Sequence, residues 1–248
     1  MTPTPQPPQF SLIIPAFNEA ALLPRLLDSI DVARARFRGG SDAIEVIVAN
    51  NASTDATAEI ANARGCVVAA VDKRCIAAAR NGGAAVARGA VVCFVDADMR
   101  VNPETFNVVA DTVANPRVIA GATGVTLDRW SVGIALTWLT LIPMVWLMRM
   151  DTGVVFCRRA DFDAIHGYDE SLLFAEDVNF LLRLRKLGKP RRQGLTRATR
   201  AKAIASTRKF DKYSDWHYFT QMPRVAWRML RNPHARDDFV RRYWYEDR

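Results

Sequence analysis

The chain has 248 residues, half of them apolar, which is enough to bury one large α/β core or two small ones. Its formal charge of +8 favours acidic partners such as nucleic acid, anionic lipid or nucleotide phosphates. The Lys and Arg are spread over the second half rather than packed in one block, so charge alone does not choose among them. The four cysteines, Cys66, Cys75, Cys93 and Cys157, form no C-x-x-C pair, and three of them lie in apolar runs. That pattern argues against a disulfide framework or a zinc site and for reduced thiols in a cytoplasmic protein. The amino terminus has no basic stretch followed by an apolar core, so no signal peptide is expected.

In chain order, Met1 is followed through residue 9 by Thr, Pro and Gln with four prolines, which suits a disordered lead. Phe10-Ser11-Leu12-Ile13-Ile14-Pro15 reads as a first strand. Leu22, Leu23, Leu26, Leu27 and Ile30 then recur at helical spacing, and Gly39-Gly40 ends that helix. Ile44-Glu45-Val46-Ile47-Val48-Ala49 reads as a second strand and residues 57–63 as a helix, with Thr54 or Asp55 as its cap. Residues 67–71 read as a third strand. Residues 77–88 form an alanine-rich helix suited to close packing on a sheet and ended by Gly89. Val91-Val92-Cys93-Phe94-Val95-Asp96-Ala97-Asp98 follows, an apolar strand running into two carboxylates. Asn102-Pro103-Glu104 caps the next helix.

Strand and helix alternate at a spacing of roughly 20–30 residues, which argues a parallel sheet with right-handed crossovers. The dinucleotide fingerprint and the P-loop are both missing, since the first strand leads into Pro15-Ala16-Phe17-Asn18-Glu19. Alternate strand residues point the same way. Asp96 and Asp98 could therefore aim at one point past a carboxyl-terminal strand end, where open α/β sheets bind ligands. Two readings stand here: a seat for a hard divalent cation, or a solvated Asp-rich turn.

The second half changes character. Residues 118–125 read as a strand. Residues 130–148 are almost wholly apolar and flanked by Arg129 and Arg149. This run barely reaches the length of about 20 residues that a bilayer crossing needs, and Pro143 would kink it. A membrane span, an interfacial helix and a buried or subunit-facing helix all remain open. Residues 152–157 read as a strand, residues 161–165 as a short helix, and Gly167-Tyr168-Asp169-Glu170 as a turn. Glu176-Asp177 opens a helix ended by Gly188, an acid placement that also suits the helix dipole. Residues 203–207 read as a last strand and residues 215–230 as a helix interrupted at Pro223. His166 reads as a turn residue and His234 as a surface-loop residue.

Taken together, these segments resemble a family 2 glycosyltransferase of the GT-A fold. The likeness rests on the order of Ile13-Ile14-Pro15-Ala16-Phe17-Asn18-Glu19, Asn50-Asn51-Ala52-Ser53-Thr54-Asp55, Ala79-Arg80-Asn81-Gly82-Gly83, Phe94-Val95-Asp96-Ala97-Asp98, Gly167-Tyr168-Asp169-Glu170 and Glu176-Asp177. The resemblance implies an α/β fold with a Rossmann-like, mostly parallel central sheet flanked by helices and an acceptor-side C-terminal half. It implies one domain over residues 10–248. Residues 10–115 would hold the nucleotide sugar, and residues 116–248 the acceptor and a helical C-terminal extension. The implied activity is transfer of a sugar, with inversion, from a nucleotide-diphosphate sugar to an acceptor hydroxyl, with Mg²⁺ or Mn²⁺ as cofactor.

The resemblance also implies roles for residues. Pro15, Ala16, Phe17 and Glu19 would contact the nucleoside, although Glu19 reads equally as a helix first-turn acid. Asn50 stands where the family usually has an Asp for the base, which leaves the nucleotide open. Arg80 would reach a phosphate or the nucleotide, or else be an exposed helical arginine. Asp96, Ala97 and Asp98 would meet the donor, with Asp98 and Asp96 at the metal and His217 as a candidate third ligand. Arg208 and Lys209 would grip the diphosphate from a loop. Asp177 would take the proton from the acceptor hydroxyl. The acceptor is unknown. A lipid-linked one, with membrane contact through residues 130–148 and the basic, Trp- and Tyr-containing tail, fits this composition. No nucleic-acid partner is expected, and an oligomer stays open. The alternative is a catalytically silent relative that binds nucleotide or serves a membrane-associated assembly, toward which Asn50 leans. A nucleotidyltransferase would want a glycine-rich loop after the first strand, and none is present.

Overall fold

The structure, a computed structural model, describes residues 7–148, 151–172 and 175–220, without the side chains of 141–148, 209 and 217. Its first half runs β1 (Phe10–Ala16), α1 (Leu23–Arg36), β2 (Ile44–Asn50), α2 (Thr57–Ala63), β3 (Val67–Ala70), α3 (Ile76–Val86), β4 (Val91–Phe94), β5 (Met99–Arg100) and α4 (Thr105–Val113). The second runs β6 (Val118–Ala122), β7 (Val125–Leu127), α5 (Val132–Met148), β8 (Val155–Arg158), α6 (Arg159–Ala164), α7 (Glu176–Gly188), β9 (Gly194–Arg197), β10 (Ala203–Ala205), α8 (Arg208–Tyr213) and α9 (His217–Thr220).

A seven-stranded sheet has the order β3-β2-β1-β4-β8-β6-β9. The first four strands are mutually parallel, as the strand–helix alternation predicts. Strand β8 runs antiparallel between β4 and β6, and β9 is parallel to β6. The alternation of β1 splits the core: Leu12 and Ile14 face the layer with α1 and α4, whereas Ile13 faces the layer with α3, α6 and α7. Both layers are closed by fully buried aromatics, Phe10 and Phe106 on one side and Phe94 and Phe180 on the other.

Gly83 decides how close α3 comes. A Cβ there would stand 2.5 Å from Ile13 Cγ2, so only glycine lets the helix lie on β1. Arg80, one turn earlier, is thereby brought to Asp96, just past the end of β4.

Several elements depart from the sequence expectation, for physical reasons. The strand over 118–125 breaks at Thr123-Gly124, where Gly124 takes φ 76°. Strand β7 thus leaves the large sheet and joins β5 and β10 in a second one of three strands, ordered β5-β10-β7. Strand β5 has two residues and β9 four, too short and too polar to show a period. Asn102 is not the cap of α4. Its Oδ1 accepts from the Glu104 N–H at 2.9 Å, making a turn that precedes the helix. Helix α5 fills the apolar run, and Trp130, Val132, Leu136 and Leu139 on or beside it are exposed. Among the described residues no helix is long and apolar enough to cross a membrane. The part of the predicted C-terminal helix beyond residue 220 lies outside the described residues.

Candidate active site

The carboxyl ends of β1 and β4 open into a cavity of about 380 Å³, lined among others by Pro15, Ala16, Phe17, Glu19, Arg80, Asp96, Ala97, Asp98, Glu176 and Asp177. The loop after β1 forms one wall because the loop before α2 latches it. The Ala20 N–H donates to Asp55 Oδ2 at 3.0 Å, the Glu19 N–H to Thr57 Oγ1 at 2.9 Å, and the Thr54 N–H to Asn18 Oδ1 at 2.9 Å. Asp55 also accepts from the Thr57 N–H at 3.0 Å, so its work is structural. Asn18 can take φ 52° because Asn tolerates the left-handed region.

The placement of Asn50 differs from the reading of a base contact. Its Oδ1 accepts from the Ser53 N–H at 3.2 Å, and the cavity is lined instead by its neighbour Asn51. The amide of Asn51 donates to the carbonyls of Val71 and Lys73 at 3.0 and 2.7 Å. Strand β2 ends at residue 50, and the chain turns there, so register along the strand no longer tells which side chain faces the site.

Asp96 and Asp98 line the same cavity, but not through strand alternation. Strand β4 ends at Phe94, and the Met99 N–H donates to the Asp96 carbonyl at 3.1 Å, closing a turn over the pair. Each carboxylate meets a different guanidinium. Arg80 Nη2 donates to Asp96 Oδ1 at 3.0 Å. Arg208 Nη2 reaches Asp98 Oδ2 at 3.1 Å.

Arg80 is not the exposed helical arginine of the alternative reading. It is buried, and besides Asp96 its Nη1 contacts Glu176 Oε1 at 2.8 Å and Asp177 Oδ1 at 3.0 Å. Burial works against its charge, but Asp177, Asp96 and Glu176 outweigh burial and hold it well above the ordinary arginine range. A single planar fork thus ties three carboxylates from α7 and the turn after β4. Its Nε, also buried, has no partner among the described residues.

Asp177 sits in the first turn of α7, with 28% of its side chain open to the cavity. Burial raises its carboxyl to about 6, against the pull of Arg80. The hydroxyl of Tyr168 donates to Asp177 Oδ1 at 3.1 Å. Burial keeps that phenol protonated, well above its usual value, and its ring stacks on Phe180 with centroids 4.1 Å apart. Asn81, next to Arg80, clamps the turn carrying Tyr168. It accepts from the Tyr168 N–H at 2.8 Å and donates to Glu170 Oε1 at 3.0 Å.

The sequence reading gave Asn81 and Tyr168 no role. The signal was present in the co-occurrence of Arg80-Asn81-Gly82-Gly83 and Gly167-Tyr168-Asp169-Glu170, but nothing local says that the two segments meet. His166 adopts φ 57° in the turn before them, as a turn residue should.

Glu19 is buried and accepts both nitrogens of Arg208, at 2.9 Å each. Arg208 is carried by α8, directly after β10, and β10 pairs antiparallel with β5, the two residues that follow Asp98. The side chains of Lys209 and His217 lie outside the described residues.

Two carboxylates on one wall suit Mg²⁺ or Mn²⁺ if phosphate oxygens complete the coordination. They do not make a cage alone, and among the described residues no group of three or more His, Cys, Asp or Glu is arranged to hold a metal.

Comparison with known proteins fits this geometry. The glycosyl transferase family 2 model matches residues 11–189. Validoxylamine A glucosyltransferase of Streptomyces hygroscopicus subsp. jinggangensis (strain 5008) is 32% identical over 122 residues, 44% of this chain and 26% of that protein. The chain therefore spans about a quarter of the length of that curated relative. Among solved structures, the fold is similar to TarS of S. aureus, with a TM-score of 0.61 and 20% identity over 84% of this chain and 38% of that one. It is also similar to the mannosyltransferase PcManGT of Pyrobaculum calidifontis in complex with GDP-Man and Mn²⁺, with a TM-score of 0.60 and 20% identity over 81% of this chain and 57% of that one. Glucosyl-3-phosphoglycerate synthase of Mycobacterium tuberculosis, in complex with Mn²⁺, UDP and glucosyl-3-phosphoglycerate, gives 0.58 at 18% identity over 84% and 76% of the two chains. At these identities the likenesses establish the mixed α/β GT-A fold, and the family match over residues 11–189 shows that the chain belongs to glycosyl transferase family 2.

Proposed function

We propose that the protein moves a sugar from a nucleotide-diphosphate donor to an acceptor hydroxyl, with inversion and with help from a divalent cation. The observation that carries this reading is the shared cavity. A carboxylate raised to about 6, Asp177, and the Asp96/Asp98 pair face the same space past the sheet edge. Structures of similar fold, determined with UDP, GDP-Man and Mn²⁺, support a nucleotide sugar and a metal.

In this reading Asp177 accepts the proton of the acceptor hydroxyl while that oxygen bonds to the anomeric carbon. The bond from that carbon to the diphosphate oxygen breaks, and the electron pair leaves with the nucleoside diphosphate. Asp98 and Asp96 would hold the cation, which when bound supplies positive charge against the departing diphosphate. Pro15, Ala16, Phe17 and Asn51 line the nucleoside end of the cavity in this reading. Arg80 acts through Asp177 and Asp96 by fixing their positions.

The test is hydrolysis of a panel of UDP-, GDP- and dTDP-sugars with and without Mn²⁺, in the wild type and in Asp98→Ala. Turnover of one donor class, stimulated by Mn²⁺ and lost in the variant, is expected. Failure of every donor, or activity unchanged by Asp98→Ala, overturns the reading.

For the acceptor we propose a lipid-linked molecule at a membrane face. Trp130, Val132, Leu136, Leu139, Trp216 and Phe219 expose apolar surface on and near α5 and α9, the composition of an interfacial contact. Co-sedimentation with vesicles carrying anionic lipid is expected and should weaken in Leu139→Glu. Equal binding by both proteins would remove this element.

A further inference from the structure

We infer that Arg208 makes cation binding conditional on the donor's diphosphate, by occupying the seat at Asp98 until phosphate draws it away. This rests on the glycosyl-transfer reading of the site. Five carboxylates, Glu19, Asp96, Asp98, Glu176 and Asp177, face one cavity. Arg80 neutralises the inner three and is walled in by them. Arg208 serves the other two, Glu19 through both nitrogens and Asp98 through Nη2 at 3.1 Å. A cation approaching Asp98 therefore meets a positive charge already bonded to its ligand, and like charges at such a distance repel strongly in a partly buried site.

The two arginines differ in their freedom to let go. Arg80 springs from a helix packed on the central sheet by Gly83. Arg208 begins a six-residue helix behind a three-residue strand, and 29% of its side chain is exposed. The segment is fixed from behind, by Thr207 donating to Asp128 at 2.8 Å and by Arg129 bound to Asp211 and Asp215. The backbone can thus stay while the guanidinium swings. A diphosphate entering the cavity offers Arg208 a paired set of anionic oxygens, the geometry a guanidinium prefers. Moving from Asp98 to phosphate withdraws the guanidinium's charge from that carboxylate at the moment the phosphate itself brings ligands for the metal.

Mn²⁺ binding to the full chain, read from the free-ion EPR signal with no nucleotide present, tests this without any turnover. The wild type should bind weakly, with Kd on the order of 1 mM or above, the range of poorly built oxygen sites. Arg208→Gln should bind at least tenfold tighter, Arg208→Lys should stay near the wild type, and adding Asp98→Asn to Arg208→Gln should erase the gain. Micromolar binding by the wild type overturns the inference even if no variant folds. Equal affinity in wild type and Arg208→Gln, or a gain that survives Asp98→Asn, does the same. If instead no donor turns over while Arg208→Gln still tightens Mn²⁺ tenfold, the functional reading falls and the competition at Asp98 stands.

Discussion

The central sheet and the three-stranded sheet at its edge are held by different physics, and the site lies between them. The first is built from apolar burial on both faces. Leu12, Ile13, Ile14, Val92, Cys93 and Phe94 are closed off completely or nearly so, which is how parallel strands are stabilised. The second has strands of two and three residues that are mostly half-exposed. Its segment is tied down by Arg129 to Asp211 and Asp215, by Thr207 to Asp128, and by Arg208 to Glu19. The proposed base Asp177 and the Arg80 that fixes its position rest on the first region. The group proposed to move belongs to the second. Apolar burial is not weakened by charge screening, whereas exposed ion pairs are, so the two regions should separate under substitution and ionic strength.

The largest effect is expected on the rigid side. Asp177→Asn removes the proposed base and should lower kcat by about 10²- to 10⁴-fold with an unchanged circular dichroism spectrum. A loss below threefold would put the base elsewhere. The same variant should change stability in a known direction. The folded chain holds the Asp177 proton up to about 6 against an ordinary value of 3.8, so stability that is full below that ordinary value falls as pH rises through about 6. In Asp177→Asn that decline should flatten. Arg80→Gln comes next. It leaves three carboxylates without their shared cation, and breaking such a buried set costs about 3 kcal/mol or more, visible as a lower Tm and a smaller urea midpoint at unchanged m. A stable Arg80→Gln would mean that the carboxylates take up protons and need no cation.

Tyr168→Phe is a finer probe of the same region. The ring stays stacked on Phe180, and only the donor to Asp177 is lost. The hydroxyl favours the ionised carboxylate, so its removal should move the acid limb of the kcat/KM profile from near 6 to higher pH, with a stability loss of about 1 kcal/mol. A downward movement would show that Tyr168 does not act through Asp177.

What was legible in the sequence follows the same division. The four parallel strands and their helices announce themselves because a strand buried on both faces needs an unbroken apolar run, and the helices between carry their period openly. Motif order is what singles out Asp96, Asp98 and Asp177, and the fold places all three on one cavity. The short strands β5, β7 and β9 were missed or merged because two to four half-exposed residues have no period to read. The turn that replaces strand alternation at Asp96 and Asp98, and the substitution of Asn51 for Asn50 on the cavity wall, lie past strand ends, where loop geometry decides which side chain faces in. Arg80 and Arg208 were singled out for phosphate, yet their carboxylate partners come from segments distant in the chain. Arg208 meets Glu19 across 189 residues, a pairing no local pattern encodes.

The smallest effect should come from Arg129→Gln, and it sharpens the contrast most. Among the described residues, Arg129 bonds to Asp211 and Asp215 and to none of the cavity-lining side chains. It donates to Asp211 at 2.5 Å and to Asp215 at 2.7 Å, both on the segment that carries Arg208. An exposed cluster of this kind contributes little to stability by itself, so Tm should fall far less than in Arg80→Gln. What it does is hold α8 in place, and α8 sets where the Arg208 guanidinium reaches. A looser α8 should raise the KM for the donor two- to threefold at low salt and leave kcat unchanged, because Asp177 and Arg80 rest on the other sheet. At ionic strengths where the Debye length is about 3 Å, wild type and variant should converge. A salt-independent loss as large as that of Arg80→Gln would show that the small sheet is part of the folded core and that the division between a fixed floor and an adjustable roof is wrong.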